Sequence, residues 1–332
     1  MNAIHVVRET GGLGDWVRIF PVFDGLRRKF PDMPIVVHGP SQYRDLVLHG
    51  HCWGMDREGC EWVNTDGKRL RSHRGAVLNA GFYREEREGR EERQRRGWGK
   101  GNGMVIDLNC PARAHERATE GAPTLDRVEL FCNRAGVEVS RPEVRFRPLS
   151  YRLGCPGPGG VFVHLKSAAL IRTWRADNAR RLKELLAEPE QLLLTAAGFV
   201  EYPLLIEVLS AVKLVITVDC GILHLAGALG VPVLGLFGCT RGDLVCKPYE
   251  NARWIQAERP AWCRARPCYG YNEQGFGRAE CSAGCSALNK IAPERVFEMA
   301  LELLHHGDTE NTENGGIGTT ATAETPNERR RK

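Results

Sequence analysis

An acid, a glycine and a histidine stand close together between two apolar runs, as Asp219, Gly221 and His224 of VITVDCGILHLAGALGVPVLGLF. Leu214 to Val218 reads as a buried parallel strand and Val233 to Phe237 as the next one. Between them Ile222, Leu225 and Leu229 share one face of a helix that Gly230 and Pro232 stop. Asp219 then lies at the carboxyl end of a strand and Gly221 at a helix start, where open parallel sheets bind their ligands. Unpaired N–H groups and the helix dipole favour phosphate there, and a glycine lets phosphate approach the main chain. His224 falls in the first turn, within reach of a phosphate oxygen or a sugar hydroxyl. Taken alone, Asp219 is better explained as a helix cap and His224 as a satisfied core histidine; the rest of the chain reverses that balance.

The reversal comes from a second copy of the arrangement. IHVVRE, Ile4 to Glu9, is a short strand, followed by a turn holding Gly12, Gly14 and Asp15. Trp16, Phe20, Phe23, Leu26 and Phe30 then recur at helical spacing, with Pro21 expected to kink one continuous helix. Strands follow at Ile35 to Pro40, Ala76 to Leu78 and Met104 to Leu108, and a helix over Thr124 to Val137 stops at Gly136. GCPGPGG, Gly154 to Gly160, is the clearest linker. Beyond it VFVHL, a helix over Asn178 to Leu186, QLLLTAAG and YPLLIEVLSA resume the alternation of strand and helix, which implies a parallel sheet. The expected organisation is an N-terminal domain over 1–153, a linker over 154–160, a second domain over 161–304 and a disordered tail over 305–332. A mixed-charge insert, 84–96, reads as a solvated helix or loop. Two facing α/β domains, each with a glycine turn and an acid at a strand end, make one cleft with a donor on one side and an acceptor on the other.

At these residues the chain resembles a family. GGLGDWVRIFPVFDGLRRKFPD is similar to the N-terminal signature of the heptosyltransferase-like glycosyltransferases of family 9, and VITVDCGILHLAGALGVPVLGLFGCT to their donor-site signature. The order of Gly-Asp, His-x-x-Ser leading to Arg-x-Trp, Asp-x-Gly-x-x-His and Phe-Gly-x-Thr extends that likeness over residues 4 to about 300. The resemblance implies an α/β GT-B fold, two Rossmann-like domains whose parallel sheets face a cleft. It also implies inverting transfer from a nucleotide-diphosphate sugar, often ADP-heptose, to a glycan or lipopolysaccharide-core hydroxyl, without a catalytic metal. By that resemblance Asp15 matches the general base. Ser167 and Arg172 match the positions that hold the donor pyrophosphate, and Gly12, Gly14, Asp219, Gly221 and His224 belong to the donor and nucleotide site. The chain departs from the family at two positions. Cys220 stands where a hydroxyl residue is common, and Arg172 where a lysine is familiar, which keeps the charge and adds bidentate geometry.

Composition is compatible with this. The 332 residues suit two domains, and the net charge of +5 does not demand a nucleic-acid partner. No N-terminal leader pattern and no spanning apolar run is visible in the sequence, so a cytoplasmic protein is expected, with peripheral contact at the inner membrane face left open. Cys263, Cys268, Cys281 and Cys285, spaced C-x4-C and C-x3-C, could close a structural zinc or iron site, or be buried thiols or disulfides. Two other classes of function remain open at this level: a non-catalytic nucleotide- or nucleic-acid-binding module stapled by those cysteines, and a GT-B nucleotide-sugar epimerase. The binding module gives Asp15 no task.

Overall fold

The computed structural model describes residues 3–9, 11–50, 60–65, 104–109, 111–119, 123–145, 160–187, 193–194, 202–258 and 286–313. The insert 84–96, the strand expected at 76–78, all four cysteines from 263 to 285 and residues 314–332 lie outside these.

The first unit runs β1 (Ile4–Val7), α1 (Leu13–Arg18), α2 (Phe20–Lys29), β2 (Ile35–Gly39), α3 (Arg44–Gly50), β3 (Cys60–Asn64), β4 (Met104–Asp107), α4 (Pro111–Ala118) and α5 (Arg127–Ala135). Its strands are all parallel in the order β3-β2-β1-β4, with Ile4 opposite both Ile35 and Met104. The second unit runs β5 (Val161–His164), α6 (Ala176–Ala187), β6 (Leu193–Leu194), α7 (Tyr202–Ser210), β7 (Leu214–Val218), α8 (Gly221–Ala228), β8 (Val233–Phe237), α9 (Gly242–Val245), β9 (Ala252–Gln256) and α10 (Pro293–Glu313). Its parallel order is β6-β5-β7-β8-β9. The strand order reverses beside β1 in one sheet and between β5 and β7 in the other. A crevice opens outside the carboxyl ends of strands at such switch points, and there stand Asp15, Ser167 and Asp219.

Pro21 does not kink one helix; it separates two. Ile19, with φ −88° and ψ −6°, closes α1, and Pro21 occupies the first turn of α2. A proline at that position has no N–H to donate to the carbonyl four residues earlier, so the ladder stops before it and restarts after it. Gly136 ends α5 as expected, in the left-handed region at φ 65°. Residues 305–313, expected to belong to a disordered tail, are instead the end of α10, which continues to Glu313. Its first turns, through Val296 and Ala300, dock against the second domain, and a helix nucleated by packing extends at little further cost per residue.

The apolar interior is continuous across the two units. One cluster joins Ile4, Trp16, Phe20, Phe23 and Leu26 to Leu205, Leu209, Leu223 and Leu225, all buried. A second cluster, with Leu182, Leu186, Leu214, Val296 and Ala300, covers the far face of the second sheet. Each fully buried large side chain contributes ~1.5–3 kcal/mol, so the α1–α8 seam holds the domains together as well as shaping what lies between them. Among the described residues no helix is long and apolar enough to cross a membrane.

Candidate active site

After β1 the chain turns through Gly11, whose φ of +109° only glycine adopts without strain, and enters α1 with Asp15 in its first turn. Asp15 Oδ2 accepts from the Gly12 N–H at 3.3 Å. Three guanidiniums surround the carboxylate: Arg127 Nη1 at 2.6 Å, Arg8 Nη2 at 3.2 Å and Arg18 Nη1 at 3.8 Å. Burial alone would raise its pKa, but Arg127, Arg8 and Arg18 together hold it well below the usual carboxylate range. Arg8 is fixed from behind, donating to the Leu108 carbonyl and lying 4.9 Å over the Phe131 ring.

Arg18 is fixed differently. Its guanidinium lies against both ring nitrogens of His224, with Nε 3.2 Å from Nδ1, and the Tyr249 hydroxyl is also 3.2 Å from Nδ1. Burial, seconded by Arg18, pushes the imidazole pKa well down, so the ring is neutral and accepts through one nitrogen only. His224 is 1% exposed. The expected donor to a ligand oxygen is therefore turned into the seam between α1 and α8, and what reaches the cleft is the arginine it holds.

The two glycines of the expected phosphate loops also serve the seam. A methyl on Gly14 would collide with the His224 ring, and one on Gly221 would stand 2.6 Å from Leu13 Cβ. They permit α1 and α8 to approach, a reading the sequence could not separate from phosphate binding because both require a missing side chain. Gly12 has open space where a Cβ would stand.

On the other side, the carboxyl end of β7 presents Asp219, 3.1 Å from Arg172 Nη1. Burial would raise this acid too, yet the guanidiniums of Arg172 and Arg18 hold it below its ordinary value. Ser167 follows β5 and donates to the Asp219 carbonyl at 3.4 Å. Ser167, Arg172 and Asp219 thus come together, with Arg172 paired to Asp219.

Between the domains lies a cleft of about 570 Å3, counting the space open to solvent. Arg18, Arg127, Arg172, Asp126, Asp219 and Thr240 line it, together with apolar side chains that include Leu125, Leu130 and Val245. Asp126 caps α5, accepting from the N–H groups of Val128 at 2.7 Å and Glu129 at 3.1 Å, and burial with the adjacent Glu129 raises its pKa. Lys247 reaches across from the second domain to Glu129 at 2.7 Å. Sequence reasoning missed Arg8, Arg18 and Arg127. Arg18 had a local signal, three residues after Asp15 on one helix; Arg127 had none, because only the fold carries the start of α5 to the start of α1. Among the described residues no three His, Cys, Asp or Glu side chains are grouped to hold a metal ion.

Residues 164–269 match the model of glycosyltransferase family 9 (heptosyltransferase). Among solved structures the chain is similar to a glycosyl transferase of family 9 from Veillonella parvula DSM 2008, with 14% identity and TM-score 0.60 over 92% of this chain and 97% of that one. It is similar to E. coli ADP-heptose lps heptosyltransferase II, with 17% identity and TM-score 0.57 over 92% and 99% of the two chains. A third likeness is to TibC, the iron-containing dodecameric glycosyltransferase of enterotoxigenic E. coli H10407, with 13% identity and TM-score 0.61 over 92% and 76%. The shared feature is the GT-B arrangement of two facing α/β domains. A comparison with curated protein sequences found no match.

Proposed function

We infer that this chain, whose residues 164–269 match the model of glycosyltransferase family 9, catalyses an inverting sugar transfer in which a heptose-like sugar passes from a nucleoside-diphosphate donor, ADP-heptose, to a hydroxyl of a glycan or lipopolysaccharide-core acceptor. One observation carries this reading: one cleft is lined by three guanidiniums, Arg18, Arg127 and Arg172, of which Arg127 pairs with Asp15 in the first turn of α1 and Arg172 with Asp219 after β7. Such a cleft suits a diphosphate whose charge grows as it leaves. In the transfer step the acceptor oxygen attacks the anomeric carbon, its proton goes to Asp15, and the bond from that carbon to the diphosphate oxygen breaks with its electron pair on the diphosphate. Arg172 and the donors near it meet that charge. Ser167 and the turn at Gly12 complete the polar wall, while Gly14, Gly221 and His224 act by holding α1 against α8 and Arg18 in the cleft. The domain over 161–304 takes the donor and that over 1–153 the acceptor, with a lipid-linked acceptor bringing the protein to the cytoplasmic face of the membrane.

A thermal-shift panel of ADP, GDP, UDP and CDP tests the donor site, since a ligand at 100 times its Kd stabilises by about 2.7 kcal/mol. Product analysis with ADP-heptose and a core acceptor then tests transfer. No shift with any nucleotide overturns the reading, and a changed sugar nucleotide in the absence of acceptor replaces transfer by epimerisation.

Arg172→Ala should weaken nucleoside-diphosphate binding by tenfold or more and leave nucleoside binding nearly unchanged, because a hydrogen bond to a charged group is worth about 1.5–3 kcal/mol. Calorimetry with ADP and adenosine measures both, and equal losses would remove the diphosphate role. The four cysteines at 263, 268, 281 and 285 are proposed as a structural zinc or iron site, a reading to which the iron-containing TibC lends support. Elemental analysis of reduced, folded protein purified without added metal decides it. About one equivalent is expected, and less than about a tenth ends the proposal.

A further inference from the structure

We propose that Arg127 is a positioning residue that exchanges partners: before donor binds it holds Asp15, and on donor binding it moves to the diphosphate and leaves the carboxylate able to accept a proton. The inference rests on the nucleoside-diphosphate reading above and says how the base and the leaving group are coupled.

The three arginines around Asp15 are not equivalent. Arg8 has 5% of its side chain exposed and is held by the Leu108 carbonyl and the Phe131 ring. Arg18, at 11%, is held by His224. Arg127 has 32% of its side chain exposed, lines the cleft and makes the shortest contact with the carboxylate, 2.6 Å to Oδ1. Arg127 is the first residue of the capped α5, which fixes the root of the side chain at the cleft wall.

The charge arrangement demands such a movement. A carboxylate facing three guanidiniums is a poor base, since each cation stabilises the form without a proton. Among the described residues, other titratable groups facing Asp15 are Tyr43 from the turn after β2 and His224 from α8. Tyr43 is buried with its pKa raised, and His224 is kept neutral, so neither supplies a charge that offsets the arginines. An incoming diphosphate does. It offers Arg127 a doubly charged partner at the cleft wall, and every guanidinium it draws away raises the proton affinity of Asp15. Base activation and leaving-group stabilisation then occur together, only when donor is present.

A double-mutant cycle on donor-site binding tests the exchange without relying on turnover. The affinity of the tightest binder among ADP, GDP, UDP and CDP is measured by calorimetry for wild type, Asp15→Asn, Arg127→Met and the double variant, with the melting temperature recorded for each. Asp15→Asn releases Arg127 beforehand and should tighten binding by about tenfold, the size of one charge-assisted hydrogen bond. In the Arg127→Met background the same change should have little effect. Equal tightening in both backgrounds means that Asp15 acts only through its field and overturns the exchange, as does any weakening by Asp15→Asn in folded protein. Asp15→Ser replaces the amide if that variant does not fold. Wild-type protein that binds none of the four nucleotides overturns both this proposal and the donor site, whereas binding without coupling removes the exchange alone.

Discussion

Asp15→Asn is expected to lower turnover by ~10²–10⁴-fold, the contribution typical of a positioned general base. The amide keeps the size of the side chain and one acceptor oxygen for the Gly12 N–H, now 3.3 Å from Oδ2. What it loses is the ability to take the acceptor's proton. Donor binding should persist, because Arg172 and Ser167 belong to the other domain. Asp15→Ala goes further in stability and little further in rate. Without any acceptor at this position Arg8, Arg18 and Arg127 face one another across a buried space, a larger loss than the ~0.3–1 kcal/mol of an acid at an exposed helix start. Turnover with ADP-heptose and a core acceptor, donor affinity and melting temperature separate these effects. An Asn variant retaining more than about a third of wild-type turnover, with the chemical step rate-limiting, would exclude Asp15 as the base.

The arginine cluster also marks how far the sequence could be read. Periodicity and turn residues located β1, β2, β5, β7 and β8 and the helices after them, because each is a compact apolar run bounded by glycine or proline. The short edge strands Cys60–Asn64 and Ala252–Gln256 carried polar and charged residues between the apolar ones and escaped notice. Asp15 and Asp219, to which the proposed transfer gives tasks, were legible as acids after a glycine turn and at a strand end. The functions of Gly14, Gly221 and His224 were not, since the same types serve phosphate binding and tight helix packing, and only the approach of α1 to α8 distinguishes them. Arg127 had no signal at all. It lies 112 positions from Asp15 and meets it solely because the chain crosses from β4 through α4 to bring the start of α5 beside the glycine turn.

His224→Ala is expected to show its effect as stability. The imidazole is 1% exposed, its ring packs against Gly14, and it provides the acceptor for Arg18. Truncation leaves a cavity and a guanidinium without its buried partner, together about 2–5 kcal/mol. At about 2–4 °C per kcal/mol for a domain of 150–250 residues, the melting temperature should fall by roughly 4–20 °C. ADP affinity should change by only a few-fold, through loosening of Arg18. The pH dependence gives a second readout. Burial depresses the folded-state pKa, so below the unfolded value of ~6.5 the unfolded chain binds the extra proton and the folded state does not. Stability from this group is therefore complete above pH 7.5 and declines as the pH falls through the unfolded pKa. His224→Gln retains an acceptor for Arg18 but cannot titrate, so its melting temperature should vary less between pH 7.5 and 5 than that of wild type. An Ala variant with an unchanged melting temperature and tenfold weaker ADP binding would return His224 to the ligand and place the seam's stability elsewhere.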